Sequence, residues 1–343
     1  TDPGFASHIQ QIQYNGARPV FWEMDGSRGW ALDLDALDRI VGPRTKAILL
    51  VTPSNPTGRV LAAGTLRAVG RIARERGCLV ILDDPYSHFL YESRARYWSL
   101  ASDPASAGHV AYLFTFSKAY AMSGWRCGYM VLPESLREQV VKIHDLTMIC
   151  APRIAQVAAL AALTGPGEHL AAFEAVLARR RGLICERLDR MPHVFDYVRP
   201  EGAYYVFPRY IRGLGDSVSF AHALLETARV AVTPGSAFGP SGEGHVRMAF
   251  CVEDDVIDLA FDRMEAAARR AHERKPAKSR PPFEPPFTPG QVEAGREYGA
   301  LVERVSASGV CVSSVERAGG GGRGGGVVEA AAMDDIRRLR AFR

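Results

Sequence analysis

The stretch "FTFSKAYAMSGWRCGYM", residues 114–130, sets a lysine and an arginine close behind an apolar run. The run ending at Phe116 is typical of a buried strand, and Lys118 follows it after Ser117. Arg126 stands eight residues beyond the lysine. A lone lysine after a strand is usually solvated, but this one belongs to the long pattern SKxxxxSGWRxGY with fixed spacing. The stretch predicts a strand whose end exposes two cations together.

Runs rich in Val, Ile and Leu recur through the first half of the chain and alternate with helical patterns. The runs are "RPVFWEM", "KAILLVTP", "CLVILDD", "HVAYLFTF" and "CGYMVLP". The segment 62–77 has apolar residues at helical spacing and ends on a glycine, a common helix stop: Leu66, Val69, Ile72 and Ala73. Continuous apolar strands separated by helices predict an α/β fold with a mainly parallel sheet covered on both faces.

Changes in the pattern predict three regions. The large domain covers residues 1–165, where strands and helices alternate. Residues 166–274 contain a connecting helix and a small α/β domain with short strands and a last helix. Residues 275–343 include "RKPAKSRPPFEPPFTPGQ" and "AGGGGRGGGVV", and this proline- and glycine-rich composition predicts a disordered tail.

The composition favours a globular protein. Of 343 residues, 47% are hydrophobic and 23% are charged, which allows a sizeable core. The net charge of +4 comes from 42 basic and 38 acidic residues, so it gives no argument for a nucleic-acid or membrane partner. No apolar stretch approaches the roughly 20 residues that cross a bilayer. With no signal peptide at the start, the sequence predicts a cytoplasmic location.

The cysteines and histidines show no ligand spacing. The nine histidines form no HExxH-like pair, and no CxxC is present, so we predict no metal site. The six cysteines are scattered, which predicts reduced thiols and not a disulfide frame: Cys78, Cys127, Cys150, Cys185, Cys251 and Cys311.

Three further polar motifs follow or interrupt predicted strands, where open α/β sheets hold their ligands. Asn55 lies in "VTPSNPTG", which taken alone is a turn. Asp83 and Tyr86 lie in "LVILDDPYSHF"; a carboxylate after buried residues needs a cationic partner, although a helix N-cap or a surface turn is an alternative. Arg247 lies in "HVRMAF", and an arginine within a short strand is often part of a structural ion pair.

Together with residues 117–126, these motifs resemble the class I and II aminotransferases in order, spacing and local context. These are fold-type I enzymes that depend on pyridoxal 5'-phosphate. The resemblance extends from Thr1 to about Arg274. It implies a large cofactor-binding domain and a smaller C-terminal α/β lobe. It also implies transfer of an amino group between an amino acid and a 2-oxo acid through a lysine Schiff base.

The resemblance assigns roles at the end of the opening stretch. Lys118 resembles the lysine that forms the Schiff base with the cofactor aldehyde, and it is the implied catalytic residue. Ser117 and Arg126 resemble the donors to the cofactor phosphate. An arginine suits that task because its planar fork bonds two oxygens at once. The two cations are then exposed together because one cofactor needs both.

The other motifs receive roles in the same way. Asp83 resembles the acid that keeps the ring nitrogen of the cofactor protonated, and Asn55 and Tyr86 resemble the pair that bonds its phenolic oxygen. Arg247 resembles the arginine that binds the substrate α-carboxylate, with Asn55 also beside the substrate. Tyr204 and Tyr205, in "PEGAYYVF", are predicted to be core residues.

Two alternatives share these residues. A lyase or a cyclising enzyme of the same fold uses the same cofactor site, and a catalytically silent fragment keeps the fold without the reaction. Members of the family usually carry a further segment before the point that corresponds to Thr1. We therefore expect an N-terminally incomplete large domain without the helix N-terminus that grips the phosphate. We also expect it to lack the aromatic ring that stacks on the cofactor and the tyrosine that reaches across the dimer. The complete protein is expected to be a homodimer.

Overall fold

The computed structural model describes residues 1–91, 97–211 and 215–273, so the predicted tail lies outside the described residues. The helices are α1 (Ala6–Tyr14), α2 (Leu34–Ile40), α3 (Ala63–Arg76), α4 (Glu134–Met148), α5 (Arg153–Thr164), α6 (Glu168–Asp189), α7 (Ser217–Ala228) and α8 (Asp254–Glu273). The strands are β1 (Met24–Asp25), β2 (Ala31–Leu32), β3 (Ala47–Val51), β4 (Leu79–Asp83), β5 (Val110–Thr115), β6 (Gly128–Val131), β7 (Phe195–Asp196), β8 (Tyr205–Val206), β9 (Arg209–Tyr210), β10 (Thr233–Pro234) and β11 (Val246–Ala249).

A four-stranded sheet dominates the first half of the chain. Its order is β3-β4-β5-β6; the first three strands are parallel, and β6 is antiparallel to β5. Four of the five apolar runs form these strands, which confirms the predicted α/β fold with a mainly parallel sheet. Leu50, Val80 and Leu82 are fully buried, as expected of parallel strands. The carboxyl ends of β3, β4 and β5 meet at one edge of the sheet.

The remaining apolar run, "RPVFWEM", is only partly a strand. Met24 alone of this run belongs to β1, which pairs with β2. The rest of the segment has no ladder in the described residues, and its backbone meets Asp2 only through an isolated bridge at Glu23. Trp22 and Met24 are nevertheless buried in the core. The apolar pattern of this segment therefore indicates that it is buried. A strand also requires a neighbouring backbone with which to form hydrogen bonds.

Helix α3 forms where the apolar spacing predicts it. The four predicted core positions are buried and pack with residues of the parallel strands: Leu66, Val69, Ile72 and Ala73. Gly77 follows the helix with φ of 65°, and its amide donates to the carbonyl of Ala73. This left-handed end suits glycine, which has no Cβ to clash.

Helices α4 and α5 leave many apolar side chains in solvent. No residue of α4 is buried, and all four residues of β6 are exposed. We call the exposed large apolar residues of β6, α4, α5 and the residue that follows α4 the apolar face: Tyr129, Met130, Val131, Val141, Ile143, Leu146, Met148, Ile149, Ile154, Val157, Leu160 and Leu163. Each of these side chains is at least 41% exposed, and exposed apolar surface of this kind often marks an interaction site.

The second half of the described chain builds a smaller sheet and three helices. The sheet has the order β10-β11-β8, and all its pairs are antiparallel. Arg187 of α6 is buried and bonds three carboxylates of α8, those of Asp258, Asp262 and Glu265. The predicted boundary at residue 165 stays a prediction, because the core of α6 to α8 also includes Tyr86.

Replacement of Arg187 by alanine is expected to destabilise the fold by about 2 kcal/mol, since three carboxylates lose their shared partner. The value lies below that for a fully buried pair because Asp262 is 64% exposed. Chemical denaturation measures the change. Arg190→Ala is the matched control on the same helix, because Arg190 is exposed and, in the described part of the chain, pairs with Glu186 one turn away. Equal losses in both variants would contradict a central role for Arg187.

Candidate active site

Three of the predicted site residues follow adjacent parallel strands at the same edge of the sheet. Asn55 lies in the turn after β3, Asp83 is the last residue of β4, and Lys118 follows β5. The backbone ties these ends together: the Thr52 amide donates to the Asp83 carbonyl at 3.3 Å. Asn55 is only 4% exposed. The carboxyl edge of a parallel sheet is where α/β proteins hold their ligands.

The Lys118 amine is half-buried among cations. Burial lowers the pKa of this amine, and the Arg247 and Arg126 guanidinium groups lower it further, while Cys251 and Asp83 raise it. These influences place both arginines and Asp83 within electrostatic reach of the lysine. The structure therefore brings together predicted residues that are up to 164 positions apart in the chain.

Asp83 pairs with a residue that sequence reasoning missed. The Nε2 atom of His8 lies 3.1 Å from Oδ2 of Asp83, and both side chains are largely shielded from solvent. The ring of Phe5 meets the His8 ring edge-on, with 5.2 Å between centroids. No spacing rule links residue 8 to residue 83; the available signal was an aromatic residue and a histidine three positions apart at the start of a helical pattern.

Tyr86 is buried beside two other tyrosines. Its hydroxyl lies 3.1 Å from that of Tyr205, and the ring of Tyr204 meets it edge-on. Burial raises the pKa of Tyr86 well above its usual value, so the phenol stays protonated. Tyr205 is a core residue as predicted, and it also lies beneath Arg247.

Arg247 of β11 is held in place without a carboxylate. Its guanidinium donates to Oδ1 of Asn55 at 3.0 Å and to Oγ1 of Thr233 at 3.3 Å. It also lies 4.5 Å from the centre of the Tyr205 ring and 5.0 Å from that of Phe238. The buried Nε has no hydrogen-bond partner. Within residues 1–91, 97–211 and 215–273, the alternative of a structural ion pair is thus wrong for Arg247.

The predicted phosphate donors are not in contact with each other. The Ser117 hydroxyl accepts a hydrogen bond from Thr115 at 2.9 Å. Arg126 lies on an exposed turn with φ of 53°, and among the described residues its guanidinium bonds only the Ser123 carbonyl. Arg126 is nevertheless near enough to Lys118 to lower the pKa of its amine.

The chemistry of these side chains fits pyridoxal phosphate. The site offers an amine for the aldehyde, a carboxylate for the ring nitrogen, amide and phenol donors for the ring oxygen, and hydroxyl and guanidinium donors for the phosphate. The residues are Lys118, Asp83, Asn55, Tyr86, Ser117 and Arg126. In the part of the chain that the structure describes, no group of three or more His, Cys, Asp or Glu residues is arranged to hold a metal ion.

Comparison with known proteins agrees with this class of site. The family "Aminotransferase class I and II" matches residues 1–264. The chain is 34% identical to "Putative aminotransferase YugH" of Bacillus subtilis over 77% of its own length and 67% of that protein. It is 35% identical to an aspartate aminotransferase of Pyrococcus abyssi, over 78% and 68% of the two chains.

Solved structures give the same result. An aromatic aminotransferase from Pyrococcus horikoshii has a TM-score of 0.75 and 34% sequence identity, with 79% of this chain and 72% of that chain covered. An aspartate aminotransferase from Thermus thermophilus with maleate has a TM-score of 0.72 and 31% identity, covering 77% and 68%. The chain belongs to the class I and II aminotransferase family.

The family membership settles the reaction and the cofactor. The protein is a pyridoxal-phosphate-dependent aminotransferase, which moves an amino group between an amino acid and a 2-oxo acid. The fold-type I architecture inferred from the motifs is confirmed. Among the described residues, no helix combines the length and apolar character that a membrane span requires.

Proposed function

We propose that Lys118 binds the cofactor covalently and that Arg247, together with Asn55, binds the α-carboxylate of the amino-acid substrate. The Arg247 guanidinium is the observation that carries this proposal. It is fixed by two oxygen acceptors and two rings, yet no carboxylate among the described residues neutralises it. A guanidinium held in this state is ready for a carboxylate, which it can bond at two points.

Lys118 is the group that moves the proton. When bound, the cofactor supplies an electron sink for the substrate α-carbon. With the cofactor bound, the Lys118 Nζ would take the proton from that carbon and pass it to the aldehyde carbon of the cofactor, and the second half of the reaction would move a proton in the opposite direction. A base must be neutral to accept a proton, and burial together with the Arg247 and Arg126 guanidinium groups lowers the pKa of the amine. The cations around the lysine therefore support its catalytic role.

Asp83 holds the ring nitrogen of the cofactor in its protonated form. His8 donates to Oδ2 of Asp83, which leaves Oδ1 of the carboxylate for the ring. This pairing also fixes the orientation of the carboxylate. Phe5, whose ring meets that of His8, is the described aromatic residue that we assign to the face of the cofactor ring.

The side chains that we assign to the phosphate and to the phenolic oxygen of the cofactor each have a proton to donate. Because Ser117 accepts from Thr115, its own hydroxyl proton is free for a phosphate oxygen. Arg126 lies on an exposed turn, and the one bond of its guanidinium to the described residues, to the Ser123 carbonyl, leaves other N–H groups for the phosphate. Tyr86 keeps its proton because burial raises its pKa, so it donates to the phenolic oxygen beside Asn55.

We further propose a large domain over residues 1–165, a small domain over residues 166–274, and a homodimer in the cytoplasm. The apolar face supports association, because exposed large apolar side chains in such number often mark a surface that a partner covers. The five cysteines among the described residues are all unpaired thiols, which supports a reducing compartment: Cys78, Cys127, Cys150, Cys185 and Cys251.

Borohydride labelling tests the proposed attachment site. The chain is mixed with pyridoxal phosphate, reduced with borohydride and digested, and the labelled peptide is expected to contain Lys118. Added amino acid and 2-oxo acid should yield the new amino acid. Labelling of another lysine would contradict the assignment of Lys118. Release of ammonia and pyruvate in place of a new amino acid would instead favour the lyase alternative.

A further inference from the structure

A buried acid lies next to Asp83 in the chain but has no part in the reaction described above. Asp84 is 1% exposed and directly follows β4. Its Oδ2 atom accepts hydrogen bonds from the hydroxyl of Tyr97 and, at 3.1 Å, from that of Tyr112 in β5. Its Oδ1 atom is buried and has no hydrogen-bond partner. The carboxyl thus ties three segments together with one oxygen and leaves the other bare.

The surroundings of Asp84 favour a neutral carboxyl. The titratable groups that face it are Tyr97, Tyr112 and Tyr129 of β6, and the Ser87 hydroxyl and amide also approach it. No salt bridge reaches Asp84 from the described residues. Burial raises its pKa to about 6, although the hydrogen bonds from Tyr97 and Tyr112 and the nearby Ser87 hydroxyl and amide act in the opposite direction. A bare oxygen is tolerated in a neutral acid but is costly in a buried anion.

The same turn carries two of the proposed cofactor residues. Asp83 precedes Asp84 and projects to the opposite face of the strand, and Tyr86 follows two residues later. The Asp84 amide donates to the Leu113 carbonyl of β5 at 3.0 Å, which continues the sheet by one residue. A movement of the Asp84 side chain therefore shifts the backbone that presents both neighbours.

We propose that Asp84 is a positioning residue for cofactor binding. Its neutral carboxyl, held by Tyr97 and Tyr112, fixes the turn that presents Asp83 and Tyr86, and its ionisation loosens that turn. The inference rests on the proposed roles of Asp83 and Tyr86. Asp84 itself touches neither substrate nor cofactor; it acts through the backbone and through the two hydroxyls that bond it.

The sign of the pH dependence follows from the raised pKa. In the unfolded chain an aspartate titrates near 3.8, and in the folded chain Asp84 titrates at about 6. Ionisation therefore favours the unfolded state, so the stabilisation is complete below pH 3.8 and is lost as the pH rises through 6. The full shift corresponds to about a hundredfold change in the folding equilibrium constant.

Asp84→Asn tests the proposal because the amide keeps the shape and an acceptor oxygen but cannot ionise. We expect the unfolding midpoint of the variant to exceed that of the unchanged chain by a smaller margin at pH 5, where part of the stabilisation remains, and by several degrees at pH 8, where it is lost. Pyridoxal phosphate affinity, measured by absorbance titration, should be equal at pH 5 and several-fold tighter in the variant at pH 8. Asp38→Asn is the control, since Asp38 is exposed and pairs with Arg76.

Three outcomes would overturn the inference. An affinity ratio of variant to unchanged chain that stays constant from pH 5 to pH 8 would show that Asp84 does not position the cofactor residues. If the difference in unfolding midpoint between the variant and the unchanged chain changes with pH while the affinity ratio stays constant, Asp84 has a purely structural role. If the unchanged chain fails to bind pyridoxal phosphate at every pH, the proposed site is wrong, and this inference falls with it.

Discussion

Replacement of Lys118 by alanine is expected to abolish the absorbance band of covalently bound pyridoxal phosphate and to lower transamination by about 10⁴-fold or more. The variant loses both the attachment point and the base, and a positioned base alone contributes up to about 10⁴-fold. Spectra with added cofactor and single-turnover rates with an amino acid measure the two losses. The fold should persist, because the lysine is half-buried beside Arg247 and Arg126 and contributes repulsion as well as packing.

A matched lysine separates this loss from a general effect of charge removal. Lys142 lies on α4, is exposed and pairs with Glu138 one turn away, so Lys142→Ala should keep both the band and the activity. The thermal midpoint of Lys118→Ala at pH 7 should equal or slightly exceed that of the unchanged chain. Survival of the covalent band in Lys118→Ala would show that another lysine anchors the cofactor.

Replacement of Arg247 by lysine should weaken amino-acid binding by about 10- to 100-fold, while cofactor binding changes much less. A lysine keeps the charge but loses the planar fork, and each hydrogen bond to a charged group is worth about 1.5–3 kcal/mol. It also loses the flat contact with the rings of Tyr205 and Phe238. Titration of the cofactor-loaded chain with amino acid, followed by absorbance, measures the change.

Arg209→Lys is the control for this substitution. Arg209 lies in β9, is exposed and pairs with Asp196, so its replacement should leave both affinities unchanged. Parallel losses of amino-acid and cofactor affinity in Arg247→Lys would mean that Arg247 supports the cofactor or the fold. A loss confined to larger amino acids would place Arg247 beside the substrate side chain instead of its carboxylate.

Local pattern was enough to predict the parallel part of the sheet. Strand β3 is fully apolar, and β4 and β5 are apolar up to their last residues, Asp83 and Thr115. Helix α3 has helical spacing and a glycine end, so each of these elements is encoded by its own residues. The positions of Asn55, Asp83 and Lys118 at one edge follow from strand direction alone. These features are predictable because the carboxyl ends of parallel strands share one edge of the sheet.

Other features depend on contacts that no local pattern contains. The pairing of His8 with Asp83 joins positions 75 residues apart, and the contact of Arg247 with Asn55 joins positions 192 apart. The resemblance to a family supplied roles for Asn55 and Arg247 and so placed them in one site. It supplied no role for His8, so the contact of His8 with Asp83 was not predicted. The segment "RPVFWEM" has the composition of a strand, but strand formation depends on a neighbour elsewhere in the chain.

The apolar face also has a consequence for how the protein responds to salt. Sulfate and phosphate ions are excluded from protein surfaces and strengthen the burial of apolar groups. Leu146 of α4 is 86% exposed and Ile149, which follows that helix, is 76% exposed, and such ions make the hydration of these side chains less favourable. The net charge of +4 is small for a chain of this length and opposes association only weakly. Precipitation at modest ammonium sulfate concentrations, reversible on dilution, should therefore be a property of this surface.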